Sequence, residues 1–335
     1  MSAPSDLRAT YRLQFHCGFT FGDATRLVPH LAALGISHIY ASPLTEARPG
    51  STHGYDITDY NRLNPEIGSE ADFRALVDAL HAHGMGLILD FVPNHMGIGA
   101  DNAWWRDVLT WGRDSPFARY FDINWHALRP DLEGRVLLPV LGEQYGAVLE
   151  RGEIELVFDT ETGGFEAQYF DHRFPISPRT YAPILAAGGG TLAGLAGDFA
   201  TLANLPAPAA RERAVLLQQT LVDYAGKPKG ADAIRTALRH FEGQPGDPDS
   251  FLTLHELLEA QAYRIAHWRV AADEINYRRF FNINDLAGLR MEESELFQRA
   301  HHLLFALIAR GDVQGMRIDH IDGLFDPRGY CERLQ

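Results

Sequence analysis

A chain of 335 residues has room for one large α/β domain with an insertion, or for two domains. Its 46% hydrophobic and 22% charged residues are those of an ordinary globular protein, and no apolar run approaches the ~18–20 residues of a membrane helix. A net charge of −14 with no dense block of Lys and Arg argues against a nucleic-acid partner and leaves neutral ligands open.

The opening MSAPSDLRAT lacks an apolar secretory core, so the expected location is the cytoplasm. Tyr11–Phe15 is the first strand candidate. A helix follows within Asp23–Leu34, with Leu27, Leu31 and Leu34 on one face, although Pro29 removes a backbone donor inside it. His38–Ser42 reads as the next strand. Ser69 is a plausible N-cap, Glu70 and Asp72 suit the positive end of the helix dipole, and Phe73, Leu76, Val77 and Leu80 make one apolar face before Gly84. Leu87–Val92 is nearly continuously apolar, as in a strand covered by helices on both faces.

Strand and helix alternating with short links predict a parallel sheet, either doubly wound or closed as a barrel. Periodicity does not choose between these. No GxGxxG or GxxxxGK[ST] follows any strand, which removes the nucleotide-binding readings. From about residue 95 to 245 the alternation is lost, and only Arg135–Val140 and Ile154–Phe158 look strand-like; an insertion between a strand and its helix fits. The glycines at 188–190 read as a flexible loop. Helix candidates return at Leu252–Trp268 and Glu292–Ala309, followed by a strand at Met316–Asp319.

Three segments carry polar residues where chemistry needs them. Asp90 interrupts an apolar strand and precedes Asn94 and His95; a carboxylate there is costly unless hydrogen-bonded, and barrel strands end in the active site. In Gly315-Met316-Arg317-Ile318-Asp319-His320, alternation along a strand sends Arg317 and Asp319 to one face. A neighbouring guanidinium favours the carboxylate form, which covalent catalysis at an anomeric carbon requires. In His53-Gly54-Tyr55-Asp56, a tyrosine can stack on a pyranose while its hydroxyl keeps a hydrogen bond. Taken singly, each has an ordinary structural explanation: a satisfied buried Asp, an ion pair, a loop aromatic.

Together they resemble the α-amylase family, glycoside hydrolase family 13. DFVPNH is similar to its D-x-x-x-x-N-H signature, GMRID to its G-x-R-x-D nucleophile signature, and HGYD to the loop whose Tyr flanks the sugar. ATYRLQFH, LGISHIYASPLTEARPGSTHGYDITDYNRLNPEIG, NAWW, INYRRFFNINDLAGLRME and RIDHIDGLFDP are similar to the trehalose-forming branch, the maltooligosyl trehalose synthases.

The resemblance implies a partial (β/α)8 TIM barrel: the first three strands in 1–94, a B-type inserted domain in 95–250, and a helical segment with the fourth strand in 251–335. It implies that Asp319 is the nucleophile, Arg317 its electrostatic support, and that Tyr55, Asp90, Asn94 and His95 shape the cleavage subsite. His53, His320 and Asp322 are further substrate-binding candidates; the His that many members carry four residues after the nucleophile is Gly323 here. The implied reaction converts the reducing-end linkage of a maltodextrin to an α,α-1,1 linkage, with no cofactor and no metal, and a maltooligosyl trehalose trehalohydrolase as pathway partner without a stable complex. An α-glucan hydrolase and a non-catalytic glucan-binding fragment are the alternatives. Because the family's acid/base Glu ends the fifth strand, the chain is expected to be an incomplete, inactive fragment.

Other features point to less. His255-Glu256-Leu-Leu-Glu259 falls short of HExxH. Cys17 and Cys331 have no disulfide or zinc spacing. Trp104, Trp105 and Trp125 suit either sugar platforms or core, and Arg278 and Arg279 either substrate or structural pairing.

Overall fold

The computed structural model describes residues 6–335, which divide into two compact units. The first contains the residues up to Ala103, then Arg119–Asp122 and Arg278–Gln335; the second contains Trp104–Ala118 and Ile123–Tyr277.

The first unit is built on four parallel strands, β1 (Thr10–Leu13), β2 (His38–Ala41), β3 (Gly86–Phe91) and β4 (Gly315–Ile318), hydrogen-bonded in that order. Helices α1 (Phe21–Ala33), α2 (Glu70–Ala82) and α3 (Ser294–Ala309) connect them. Parallel strands need such crossovers because each chain segment must return to the same end of the sheet. In α2 the Ser69 hydroxyl accepts from the Asp72 amide at 3.2 Å while Asp72 accepts from the Ser69 amide at 2.9 Å, a reciprocal cap. Phe73, Leu76, Val77 and Leu80 are buried, as their spacing predicts. Helix α1 continues past Pro29; burial of Phe21, Ala24, Val28 and Leu31 outweighs the missing donor.

Three further features belong to the same unit. The loop after β2 holds a short antiparallel pair, Thr45–Ala47 with Ile57–Leu63. Residues 95–103, expected in the inserted domain, belong here, because His95–Gly97 pairs antiparallel with Ile283–Gly288. The segment Arg119–Asp122 also returns: Phe121 bridges Leu289, and the Asp122 amide donates to the Gly288 carbonyl at 3.0 Å.

The second unit has a three-stranded antiparallel sheet (Glu155–Asp159, Gly164–Tyr169, His172–Pro175) and a parallel pair, Val136–Leu141 with Tyr263–His267. That pair corrects the single helix expected over Leu252–Trp268: the helix ends at Glu259, and a strand follows. Tyr263 and Ile265 are buried in alternation with half-buried neighbours, a period of two that pairing with a distant strand makes decisive. Residues 251–277, expected with the barrel's return, therefore lie in this unit. Of the glycines expected in a loop, Gly188 and Gly189 link helices Tyr181–Ala187 and Gly190–Ala200, and Gly190 opens the second helix. No helix among the described residues is long and apolar enough to cross a membrane.

Candidate active site

The site lies in the first unit, where strand register and alternation bring distant residues to one face of the sheet. Arg12 on β1 pairs with Tyr40 on β2, Tyr40 pairs with Ile88 on β3, and Asp90, two residues along β3, pairs with Arg317 on β4. Side chains two apart on a strand share a face.

Asp90 is the centre of this cluster, with a fully buried side chain. Its Oδ2 accepts from the Tyr40 and Tyr55 hydroxyls, each at 2.6 Å. Arg317 donates to Oδ1 at 3.0 Å and to Oδ2 at 3.3 Å. The desolvation penalty of a buried carboxylate is thus offset by three donors. Burial, then the bond to Asp90, pushes the Tyr40 and Tyr55 hydroxyls above the ordinary phenol range, which keeps both protons in place.

Arg317 also donates to Oδ1 of Asp319, as their two-residue spacing predicts. The Asp319 amide donates to the Phe91 carbonyl at 2.8 Å, which continues the β3–β4 ladder one step past the strand. No described residue donates to the other Asp319 oxygen, and its side chain is 15% exposed.

Asn94 and His95 follow β3 in a loop anchored by the buried Tyr60, whose hydroxyl donates to the carbonyls of Val92 at 2.6 Å and His95 at 3.2 Å. His95 is buried and its Nε2 has no hydrogen-bond partner. Burial pushes its pKa down to about 4, with the nearby His320 acting in the same direction. A neutral imidazole with an unbonded nitrogen can take a ligand hydroxyl, but this nitrogen is covered, so the groups over it must first part. One side of the ring packs on Phe280 at 4.2 Å between centroids, and Phe280 meets His320 edge-on at 4.9 Å.

Asn94 does not bond Asp90: its Oδ1 accepts from Arg278 Nη1 at 2.7 Å, and its Nδ2 lies 3.4 Å from His95 Nδ1. Arg278 also donates to Asp122 at 2.9 Å and to the Leu289 and Gly323 carbonyls at 2.7 and 3.2 Å. It is therefore a structural clasp. Arg279 donates to Asn284 within the antiparallel pair of Arg279–Phe280 and Ile283–Gly288.

Tyr55 reaches Asp90 because its loop turns sharply at Gly54, which has φ +79° and would place a Cβ 2.8 Å from the Pro43 carbonyl oxygen. His53 stays outside the cluster; it is exposed, and its Nδ1 accepts from the Tyr55 amide at 3.0 Å, shaping the turn. His320 has a left-handed backbone, φ 46° and ψ 46°, uncommon for a non-glycine residue. Its Nδ1 is 3.6 Å from Asp322, which points to solvent and does not join the cluster. A Cβ at Gly323 would run into the His320 ring and lie 2.7 Å from Asn94 Oδ1, so the His320 ring fills the space a larger residue would use. In the second unit, Trp105 is core, edge-on to Tyr277 at 5.3 Å, and Trp104 stacks on Phe117.

Two members of the cluster, Arg12 and Tyr40, are absent from the sequence-derived site. Both are polar residues on strands that end at the same edge as Asp90, the signal that marked Asp90 itself.

Comparison with known proteins bears on this geometry. Residues 21–146 match the family described as alpha amylase, catalytic domain. A protein of Mycobacterium tuberculosis H37Rv described as "Putative maltooligosyl trehalose synthase" is 33% identical over 334 residues, 98% of this chain and 32% of that protein. The solved maltooligosyltrehalose synthase of Arthrobacter ramosus aligns over 97% of this chain and 32% of its own, with 33% identity and a TM-score of 0.68. A hypothetical maltooligosyl trehalose synthase of Sulfolobus tokodaii aligns over 98% of this chain and 34% of its own, with 28% identity and a TM-score of 0.66. The chain thus spans about a third of the length of these relatives. With the DFVPNH and GMRID segments meeting at Asp90 and Arg317, the chain is similar to the alpha amylase catalytic domain over residues 21–146 and to maltooligosyl trehalose synthases over nearly its whole length.

Proposed function

We propose that this chain carries the nucleophile side of a maltooligosyl trehalose synthase active site, on the first four strands of a (β/α)8 barrel whose B-type insertion is the second unit. The observation that carries the reading is the state of Asp319: one oxygen is held by Arg317, and no described residue donates to the other. A carboxylate so oriented can attack an anomeric carbon without first shedding a hydrogen bond.

In this reading the free oxygen of Asp319 bonds to C1 of the penultimate glucosyl unit of a maltodextrin as the bond to O4 of the reducing-end glucose breaks. A second carboxyl group, about 5–5.5 Å away in retaining enzymes, gives O4 its proton. Asp90 is unsuited to that role, because its oxygens already accept from Tyr40, Tyr55 and Arg317. The acid is assigned to the end of the following barrel strand, as in the family pattern. The released glucose turns in place, and its anomeric hydroxyl attacks C1 as the bond from C1 to Asp319 breaks, returning a proton to the second carboxyl group, freeing the Asp319 carboxylate and forming the α,α-1,1 bond. His95 Nε2 bonds a hydroxyl of the glucosyl unit, and Tyr55 stacks on it. Excluding water decides between this transfer and hydrolysis.

The test uses the full-length gene product with maltopentaose. The expected result is loss of reducing ends without release of glucose, abolished by Asp319→Asn. A rise in reducing ends favours an α-glucan hydrolase instead. Covalent labelling by a fluorosugar at any residue other than Asp319 overturns the assignment.

A further inference from the structure

Arg12 stands at the edge of the cluster with its positive charge uncommitted. It is exposed on β1, and no described carboxylate lies within ion-pair distance of it. Its guanidinium instead donates to the Tyr55 hydroxyl at 3.3 Å and to Gln14 Oε1 at 3.2 Å, and sits 5.7 Å over the Tyr40 ring. Gln14 in turn donates to the Thr52 carbonyl at 2.8 Å, in the loop that delivers Tyr55.

A guanidinium has five donors and no acceptor. The Tyr55 oxygen can only accept from Arg12, so its single hydrogen is directed to Asp90 Oδ2. Without Arg12, that hydroxyl is free to rotate between Asp90 and solvent. Asp90 and Asp319 share one guanidinium, Arg317, and Arg12 forms an ion pair with neither.

We infer that Arg12 is a positioning residue for the reaction proposed above: it fixes the Tyr55 hydroxyl on Asp90 and, with Gln14, ties the Tyr55 loop to the end of β1. The inference rests on that reading for its substrate. Its physical content is that Arg12 acts through Tyr55, not on the sugar.

A double-mutant cycle in the full-length gene product tests this, with kcat and KM measured on maltopentaose for Arg12→Gln, Tyr55→Phe and the pair, and Arg12→Lys alongside. Misplacing a group that orients substrate costs about 10- to 100-fold, so Arg12→Gln is expected to lower kcat/KM by that factor, mainly in kcat. In the Tyr55→Phe background the same change should cost less than about threefold, since the hydroxyl it orients is gone. Lysine keeps the charge and one donor, so Arg12→Lys should recover a substantial part of the loss. Losses that multiply, an Arg12→Gln enzyme within about threefold of wild type, or a lysine variant no better than glutamine, overturn the inference. The cycle reads on whatever product forms. A wild-type enzyme that only hydrolyses maltopentaose refutes the proposed function and leaves the cycle to decide Arg12; one inert towards it overturns both.

Discussion

Asparagine at position 90 keeps the shape of the buried aspartate and removes its charge. Asp90 accepts from two tyrosine hydroxyls at 2.6 Å and from Arg317 at 3.0 and 3.3 Å. Hydrogen bonds to a charged partner contribute about 1.5–3 kcal/mol and neutral ones about 0.5–1.5. Each tyrosine bond therefore loses about 1 kcal/mol on neutralisation. The Arg317 side chain is 46% exposed and keeps Asp319, so solvent screening holds its share below about 1 kcal/mol. Asp90→Asn should cost about 2–3 kcal/mol in all, read as a lower urea midpoint with an unchanged slope. The phenols supply a second readout. Burial is the larger cause of their raised pKa values and the carboxylate the next. Removing the carboxylate should let Tyr40 and Tyr55 ionise at lower pH, though not at the ordinary value, because burial remains. A loss below about 1 kcal/mol, or an unchanged tyrosinate absorbance titration, refutes the picture of a carboxylate held by two hydroxyls.

Acid should destabilise the fold through two buried histidines. Burial pushes both His95 and His301 down to about 4. The unfolded chain protonates near 6.5, so between about pH 6.5 and 4 it binds protons that the folded state does not, and stability falls as pH drops through that window. At roughly 1.4 kcal/mol per unit the upper limit is about 3.5 kcal/mol for each group, below about pH 4. Imidazole proton resonances that titrate near 6.5 refute this. Gly323→Ala places a methyl group against the His320 ring and 2.7 Å from Asn94 Oδ1. Overpacking of this kind costs about 1–3 kcal/mol, and a melting temperature equal to wild type contradicts the crowding.

The sequence makes the strands and their chemistry legible for one reason and hides the rest for another. Helix α2 is readable because cap, charge and apolar period all agree over Ser69–Leu80. The polar residues Asp90, Arg317 and Asp319 stand out because they interrupt apolar strands. Tyr263–His267 is hidden because its partner, Val136–Leu141, lies more than a hundred residues away and local pattern carries no trace of the pairing. Helix Ala207–Ala225 buries Ala210, Ala214, Leu217 and Leu221 at helical spacing, but two of the four are alanines, which leave little hydrophobic contrast. Arg278 is ambiguous in sequence for a physical reason: a guanidinium serves a substrate hydroxyl and a backbone carbonyl equally well.

The site depends on a register that residues outside it enforce. Arg317 meets Asp90 only because β4 pairs with β3 in one alignment; a shift of one residue brings Met316 beside Asp90 and turns Arg317 to the opposite face. Four parallel ladder pairs between short strands hold that alignment weakly by themselves. The chain just before β4 adds two locks. Gln314 closes on β3 twice, its amide donating to the Leu87 carbonyl at 2.9 Å and its Oε1 accepting from the Leu87 amide at 2.7 Å. Two residues earlier, the buried Asp312 takes a two-pronged bond from Arg74 on α2 at 2.5 and 2.9 Å and another from Arg310 at 2.8 Å. A slip of β4 must break all of these and leave Asp312 buried without its partners, which costs several kcal/mol where a pair is cut from one side. The pairing of the two motifs is therefore secured at the far end of the strands, by side chains that take no part in the Asp90 cluster.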